Sequence, residues 1–275
     1  MTIHFHGSPI TGGKGPKAAI ASYRDGGAFI SFAAARQIDL AFEFSKTVCI
    51  DNGAFSMFNS GKVPDWNKFY FEFLPRWISN EKLRFFVIPD DIEGGEKEND
   101  ALLDSVPSDM QSKGAPVWHM HESIERLLRL CRDYEYVCIG SSGEYYAIRS
   151  QKWKERMKAA CMAIIESGSK AKIHGLRMLD GRVLGNYPLD QADSTNIAIN
   201  VGKYDMKMPE VTVEACRALT HPTKWVEPRH SYDALSKFIA NGGDKADIAA
   251  YRAAVLRGAI ESVKPPGREE WYKSQ

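Results

Sequence analysis

The sequence predicts an α/β fold, specifically an irregular (β/α)8 TIM-type barrel with extra C-terminal helices. Two observations predict it: short apolar runs recur along the chain, and amphipathic stretches of helical length separate most of them. Continuous apolar runs are typical of strands that are buried on both faces of a parallel sheet. Eight such runs fit a closed barrel better than an open sheet. The alternative is an open α/β sheet with an extra hairpin.

The eight runs are the candidate strands, and small or polar residues follow each of them. In chain order they span residues 3–5, 28–32, 47–50, 84–88, 116–118, 136–139, 172–175 and about 191–199.

Helices are predicted between several of these strands. Ser123 is a capping residue before apolar positions at helical spacing, and Gly168 ends a second such stretch. An aromatic-rich helix is expected to be disturbed at its end by Pro75. The predicted helical ranges are 66–78, 123–133, 151–167, 232–240 and 245–263. We therefore expect one domain over residues 1–264, and a polar tail over residues 265–275 that frays.

Composition limits the classes of function. A net charge of +1 excludes a global basic field, so a nucleic-acid partner would need a local patch of cations. The five cysteines include no CxxC pair, which argues against a disulfide framework or a cysteine-rich zinc site and favours a reducing cytoplasm. The sequence lacks an apolar run long enough for a membrane span, so no membrane partner is expected.

Polar residues follow almost every predicted strand. In a (β/α)8 barrel the C-terminal strand ends form the active site, so these residues are expected to converge on one mouth. They include His6, Ser31, Asp51, Asp90, Asp91, His119, His121, the turn 140–144, His174 and Asp193.

Each of these residues also has a structural interpretation. Asp51 could form an Asx turn and Asp193 could cap a helix. Of Asp90 and Asp91, one is expected to face the pocket and the other to cap a helix or face solvent. His119 and His121 lie on one face of a strand, but no further ligand completes a metal site, so none is predicted.

Six segments, taken in order from Cys49 to Val201, resemble the tRNA-guanine transglycosylase superfamily. The closest likeness is to its compact phage and bacterial branch, the 7-deazaguanine DNA transglycosylases. The segments are DNGAFS at 51–56 (family D-S-G-G-F-Q), the aspartate of VIPDD at 87–91, VWH at 117–119 (I-V-Q-G), IGSSGE at 139–144 (G-G-L-A-V-G-E), IHGLRM at 173–178 (M-G-V-G), and ADS at 192–194, where the family carries its nucleophile.

The resemblance implies that guanine in DNA is exchanged for a 7-deazaguanine derivative through a covalent glycosyl–enzyme. It implies that Asp193 is the nucleophile, that Asp51 is the general acid and base, and that Asp90 reads the donor edge of the base. The other base-binding residues that it implies are His119, Gly140, Ser141, Ser142, His174 and Gly175.

Two departures from the family narrow the substrate. The zinc ligands that the tRNA enzymes carry after the nucleophile have no counterpart here, because Cys216 stands alone. A chain of 275 residues also has no room for their tRNA-binding insertions. DNA is therefore favoured over tRNA as the substrate, and structural zinc is not expected. The deazaguanine base is a co-substrate, and the reaction is expected to need no cofactor.

The expected partners are the deazaguanine base and a DNA strand whose guanine is flipped out or unpaired. Cations that could hold the DNA backbone flank the last strands, although each could equally be a solvated surface charge: Arg149, Lys152, Lys154, Arg177 and Lys203. Tyr145 or Tyr146 could stack on a base or simply pack.

The expected location of the protein is the cytoplasm of a bacterium or a phage-infected cell, and its oligomeric state stays open. The rival functions are an N-glycosidic-bond hydrolase, a tRNA-guanine transglycosylase and a non-catalytic nucleic-acid-binding barrel.

Overall fold

A computed structural model of the chain describes residues 3–10, 15–201 and 245–275. Parallel strands alternate with helices in these residues and form a nearly closed barrel, which confirms the predicted fold class. The strands are β1 (His4–Ser8), β2 (Gly27–Ser31), β3 (Thr47–Asp51), β4 (Leu83–Val87), β5 (Gly114–Ala115), β6 (Val117–His119), β7 (Tyr136–Gly140), β8 (Lys172–Gly175) and β9 (Gln191–Ser194).

The barrel closes at a single proline. The strand order is β5-β4-β3-β2-β1-β9-β8-β7-β6, so the two ends of the sheet are consecutive in sequence. Only Pro116 separates β5, which pairs with β4, from β6, which pairs with β7. Proline has no N–H to donate, which interrupts the ladder there. The two short strands thus fill one position, and the barrel has eight positions.

Helices cover the outside of the barrel. They are α1 (Gly15–Tyr23), α2 (Ile38–Phe44), α3 (Ala54–Asn59), α4 (Trp66–Lys68), α5 (Glu96–Asp104), α6 (Ile124–Asp133), α7 (Gln151–Glu166), α8 (Gly181–Leu184), α9 (Asn196–Asn200), α10 (Lys245–Glu261) and α11 (Arg268–Lys273). None of the described helices is long and apolar enough to cross a bilayer.

Several local predictions are confirmed. The Ser123 hydroxyl accepts a hydrogen bond from the Arg126 N–H at 3.1 Å, which caps α6. Gly168 follows α7 with a φ of +69°, the left-handed conformation that favours glycine. The aromatic stretch changes helix type as it approaches Pro75: α4 continues as a π-helical turn at Phe69–Phe73 and a 3-10 turn at Leu74–Arg76. The helix predicted at 232–240 lies outside the described residues.

Two predictions are wrong. The last strand ends at Ser194 rather than near residue 199, because the Ser194 hydroxyl accepts the Asn196 N–H at 2.9 Å and the chain turns into α9. Residues 265–275 are not a fraying polar tail, because Arg268–Lys273 form α11 and Trp271 is buried.

Side chains fill the barrel interior up to the C-terminal ends of the strands, so a ligand cavity in the barrel must lie at those ends. Small and aromatic side chains pack together there: Phe5, Phe29, Cys49, Phe85, Val87, Ala115, Val117 and Cys138. Along β1 the side chains alternate between this interior and the helix layer. Phe5 points inward, while His4 and His6 contact Val263 and Glu261 of the C-terminal region. His6 was expected at the mouth, and it lies outside the barrel wall instead.

Candidate active site

A cavity of about 500 Å³ opens at the C-terminal ends of the strands. Predicted site residues from six different strand ends line it, which is the convergence that the barrel topology requires. Those residues are Asp51, Asp90, His119, Gly140, Ser141, Arg177 and Asp193.

Asp51 is the last residue of β3 and is partly exposed to the cavity. Its Oδ2 accepts the Gly53 N–H at 3.1 Å. Gly53 has a φ of +82°, and a Cβ there would lie 2.8 Å from the Ala33 nitrogen, so the turn requires glycine. Burial raises the pKa of Asp51 to about 7, and the negative charges of Asp193 and Asp90 add to the shift. Asp51 can therefore hold or release a proton near neutral pH.

Asp90, and not Asp91, faces the cavity. Asn52 donates to one oxygen of Asp90 at 2.6 Å and to the Ile88 carbonyl at 2.8 Å. Asp91 is exposed and accepts the N–H groups of Glu93 and Gly94 in the following turn. Asn52 stands where the family motif has serine, and it orients the carboxylate that is expected to read the base.

His119 lies beside Asp90, with Nε2 3.0 Å from Asp90 Oδ2. The other ring nitrogen, Nδ1, is buried and has no hydrogen-bond partner among the described residues, so it can serve a ligand. Its backbone N–H donates to the buried Glu122, which Arg126 contacts at 2.6 Å. Sequence reasoning missed this pair, although its four-residue spacing on a helix start was the available signal.

Asp193 is 4% exposed and projects from β9. Its Oδ1 accepts hydrogen bonds from the Arg177 N–H at 2.9 Å and pairs with His174 Nε2 at 3.1 Å. Among the described residues, no hydrogen bond reaches Oδ2. Arg177 has a φ of +60°, an unfavourable conformation for a residue with a side chain, and it aims this N–H at the carboxylate.

Three expected base-binding residues lie outside the cavity lining. His174 is fully enclosed beneath Asp193. Gly175 packs so tightly that a Cβ would lie 2.9 Å from Leu189 and Met178. The Ser142 hydroxyl pairs with His121 at 2.8 Å instead of facing the cavity. The strand pattern predicted that these residues lie near the C-terminal ends of the strands, but it did not predict the direction of each side chain.

No group of three or more metal-ligating side chains is present among the described residues. The rings of His119 and His121 stack with centroids 5.6 Å apart. His121 is exposed, and its Nε2 pairs with the Gly94 carbonyl at 3.0 Å. The two histidines therefore serve separate partners.

The expected DNA-binding cations divide into two groups. Arg177 lines the cavity rim and lies over the Phe55 ring at 4.1 Å, and Lys154 is exposed in a groove that also contains Arg149. By contrast, Lys152 pairs with Glu144 at 2.6 Å, and Arg149 Nε lies 3.9 Å from Asp180 Oδ2. Lys203 lies outside the described residues.

Of the two tyrosines, Tyr146 is 75% exposed on the cavity rim, and Tyr145 packs against the Arg156 guanidinium. Tyr146 is therefore the one available for stacking on a base.

No protein-family model, curated protein or solved structure matches this chain.

Proposed function

We propose that the protein is a base-exchange transglycosylase that replaces guanine in DNA with a 7-deazaguanine derivative. One observation carries the proposal: three carboxylates from separate strand ends share one base-sized cavity, and burial raises the pKa of one of them, Asp51, to about 7. Carboxylates with different proton affinities can take the separate roles of nucleophile and general acid.

In the first step, the Asp193 carboxylate attacks the anomeric carbon of the sugar. The carbon–nitrogen bond to guanine breaks, and its electron pair goes to the departing purine, which takes the proton of Asp51. The product is a glycosyl ester of Asp193, so that one difficult displacement is divided into two easier ones. The unoccupied Oδ2 is the atom suited to attack, because Oδ1 already has two partners.

In the second step, Asp51 is a carboxylate and removes the ring proton of the incoming 7-deazaguanine. The nitrogen attacks the sugar carbon, the ester bond breaks, and Asp193 leaves as a carboxylate. Asp51 thereby regains the proton that it lost, so the cycle balances without water.

Asp90 and its neighbours in the cavity lining are the residues that would select the base. Asp90 can accept from the ring N–H and the exocyclic amine, and His119 and the Gly140–Ser141 turn border the same space. A buried carboxylate selects strongly, because a base without donors at that edge would leave it unpaired.

The test is an assay that separates exchange from hydrolysis. The protein is incubated with guanine-containing DNA and a 7-deazaguanine base, released guanine is quantified, and the nucleosides are analysed by mass spectrometry. Equal guanine release and deazaguanine incorporation is the expected result, and Asp193→Asn should abolish both. Asp91→Asn is the matched control, because this neighbouring carboxylate faces solvent.

The other outcomes discriminate between the rival functions. Guanine release without incorporation identifies a hydrolase, and DNA binding with neither product identifies a non-catalytic barrel. Exchange on tRNA alone would move the substrate from DNA to RNA.

A further inference from the structure

His174 is a buried histidine that contacts the proposed nucleophile, Asp193, and it does not line the cavity. Its side chain is fully enclosed. Phe29 stacks on the imidazole at 5.0 Å, and Phe5 and Phe85 meet it edge-on at 5.8 and 5.4 Å. Such a cage fixes the ring in one orientation and leaves it one polar partner, the carboxylate of Asp193.

That partner identifies the tautomer of His174. A carboxylate oxygen such as Asp193 Oδ1 accepts hydrogen bonds and does not donate, so the 3.1 Å contact requires a proton on Nε2. The other nitrogen, Nδ1, is buried and has no hydrogen-bond partner within the described part of the chain. A second proton on Nδ1 would be a buried donor without an acceptor, which is costly. The arrangement therefore fits a neutral imidazole that donates from Nε2.

Both donors to Asp193 are then uncharged, since the second is the Arg177 backbone N–H at 2.9 Å. The Arg177 guanidinium lies over the Phe55 ring, and no ion pair joins it to Asp193 among the described residues. Neutral donors hold a carboxylate in place without cancelling its charge, whereas a cationic partner would weaken it as a nucleophile. The preserved charge of Asp193 also helps to raise the pKa of Asp51, together with burial, which is the larger cause.

We propose that His174 is a positioning residue of the exchange reaction, which holds Oδ1 of Asp193 as a neutral donor so that Oδ2 attacks the sugar. This rests on the proposed function. It replaces the base-binding role that the sequence resemblance implied for His174, and it assigns the fully buried ring to the nucleophile instead.

The first test does not depend on exchange activity. Long-range ¹⁵N–¹H NMR of the labelled protein distinguishes the three protonation forms of a histidine. His174 should show the neutral form with its proton on Nε2, because that nitrogen donates to Asp193 Oδ1. A His174 signal that shows the imidazolium or the Nδ1–H form would overturn the inference. Loss of the His174 signal in a His174→Gln variant provides the assignment.

The second test separates positioning from base binding. His174→Leu removes the donor and should lower kcat about 10²-fold, the loss that small misplacements of a reacting group produce, with KM for DNA and for the base unchanged. His174→Gln keeps an N–H near the Nε2 position and should recover most of kcat. His4→Gln is the control, because His4 is a buried barrel histidine that faces Val263 outside the site.

The outcomes distinguish the two proposals. Unchanged kcat in a folded His174→Leu variant, or a raised KM for the base with kcat intact, would reject the positioning role alone. An unmodified protein that exchanges no base would reject the proposed function, while the NMR result would still report the His174–Asp193 pairing.

Discussion

Asp51 is the residue from which the structure predicts a pH dependence. Burial is the main cause of its raised pKa of about 7, and the carboxylates of Asp193 and Asp90 raise it further. Asp51 is therefore protonated below about pH 7 and can act as the acid that guanine departure needs. We expect the single-turnover rate of guanine expulsion to be constant below this pKa and to fall about tenfold per pH unit above it.

A charge substitution tests the origin of that pKa. Removing the negative charge of Asp90 in Asp90→Asn should lower the pKa of Asp51, because a neighbouring like charge favours the protonated form. A carboxyl ¹³C titration of Asp51 would follow the change without requiring turnover. Asp91→Asn is the control, since Asp91 faces solvent. An Asp51 titration that does not move in Asp90→Asn would mean that the two carboxylates are electrostatically independent.

Helix α11 is the element whose contribution to stability is most easily tested. It packs against α7, and Trp271 lines the same groove as Arg149 and Lys154. Arg268 donates to Asp190 at 2.7 Å and to the Ser169 carbonyl at 2.8 Å, and the Trp271 indole donates to the Asn186 carbonyl at 2.7 Å. These contacts connect the C-terminus to the segments that enter β8 and β9.

Trp271→Ala should lower the free energy of unfolding by about 3 kcal/mol, because it removes a buried aromatic side chain. Glu270→Ala, a neighbouring exposed position, should change it by less than about 0.5 kcal/mol. Urea denaturation measures both, and kcat for base exchange should survive in folded Trp271→Ala because Trp271 does not line the cavity. Equal stability of the two variants would mean that α11 contributes nothing to the fold.

The sequence predicted the elements better than the directions of their side chains. Apolar runs located all eight strand positions because strands buried on both faces carry a continuous signal. Asp51 was recognisable because a carboxylate at the end of such a run has few packing explanations, whereas Asp193 was singled out by its place in the family resemblance. The direction of individual side chains was harder to predict, because His6 points out of the barrel and His174 lies beneath the cavity. Barrel tilt and local bends, which leave no mark in one sequence, decide such placements.

Long-range partners account for the remaining differences. The composition of residues 265–275 is polar, yet Arg268 and Trp271 find acceptors far away in sequence. Likewise, Lys152 resembles any other surface cation until Glu144 is found beside it. Only the tertiary structure shows which charges are already paired.

The charge distribution makes a final prediction about DNA. With a net charge of +1, affinity must come from local cations, and a groove lined by Arg149, Lys154 and Lys158 adjoins the cavity next to Ile148. Each phosphate contact that is lost reduces the dependence of log affinity on log salt by roughly 0.7 to 0.9. We therefore expect Lys154→Ala to weaken DNA binding with a shallower salt dependence by that amount, as measured by fluorescence anisotropy at several salt concentrations.

Two variants make this measurement specific. Lys152→Ala should have a smaller effect, because Glu144 already offsets its charge. Tyr146→Ala should lower affinity at every salt concentration and leave the slope unchanged, since stacking on a base releases no counterions. If Lys154→Ala, like Tyr146→Ala, gave the same salt dependence as the unmodified protein, the groove would not follow the DNA backbone. The strand would then have to approach the three carboxylates from another side of the barrel mouth.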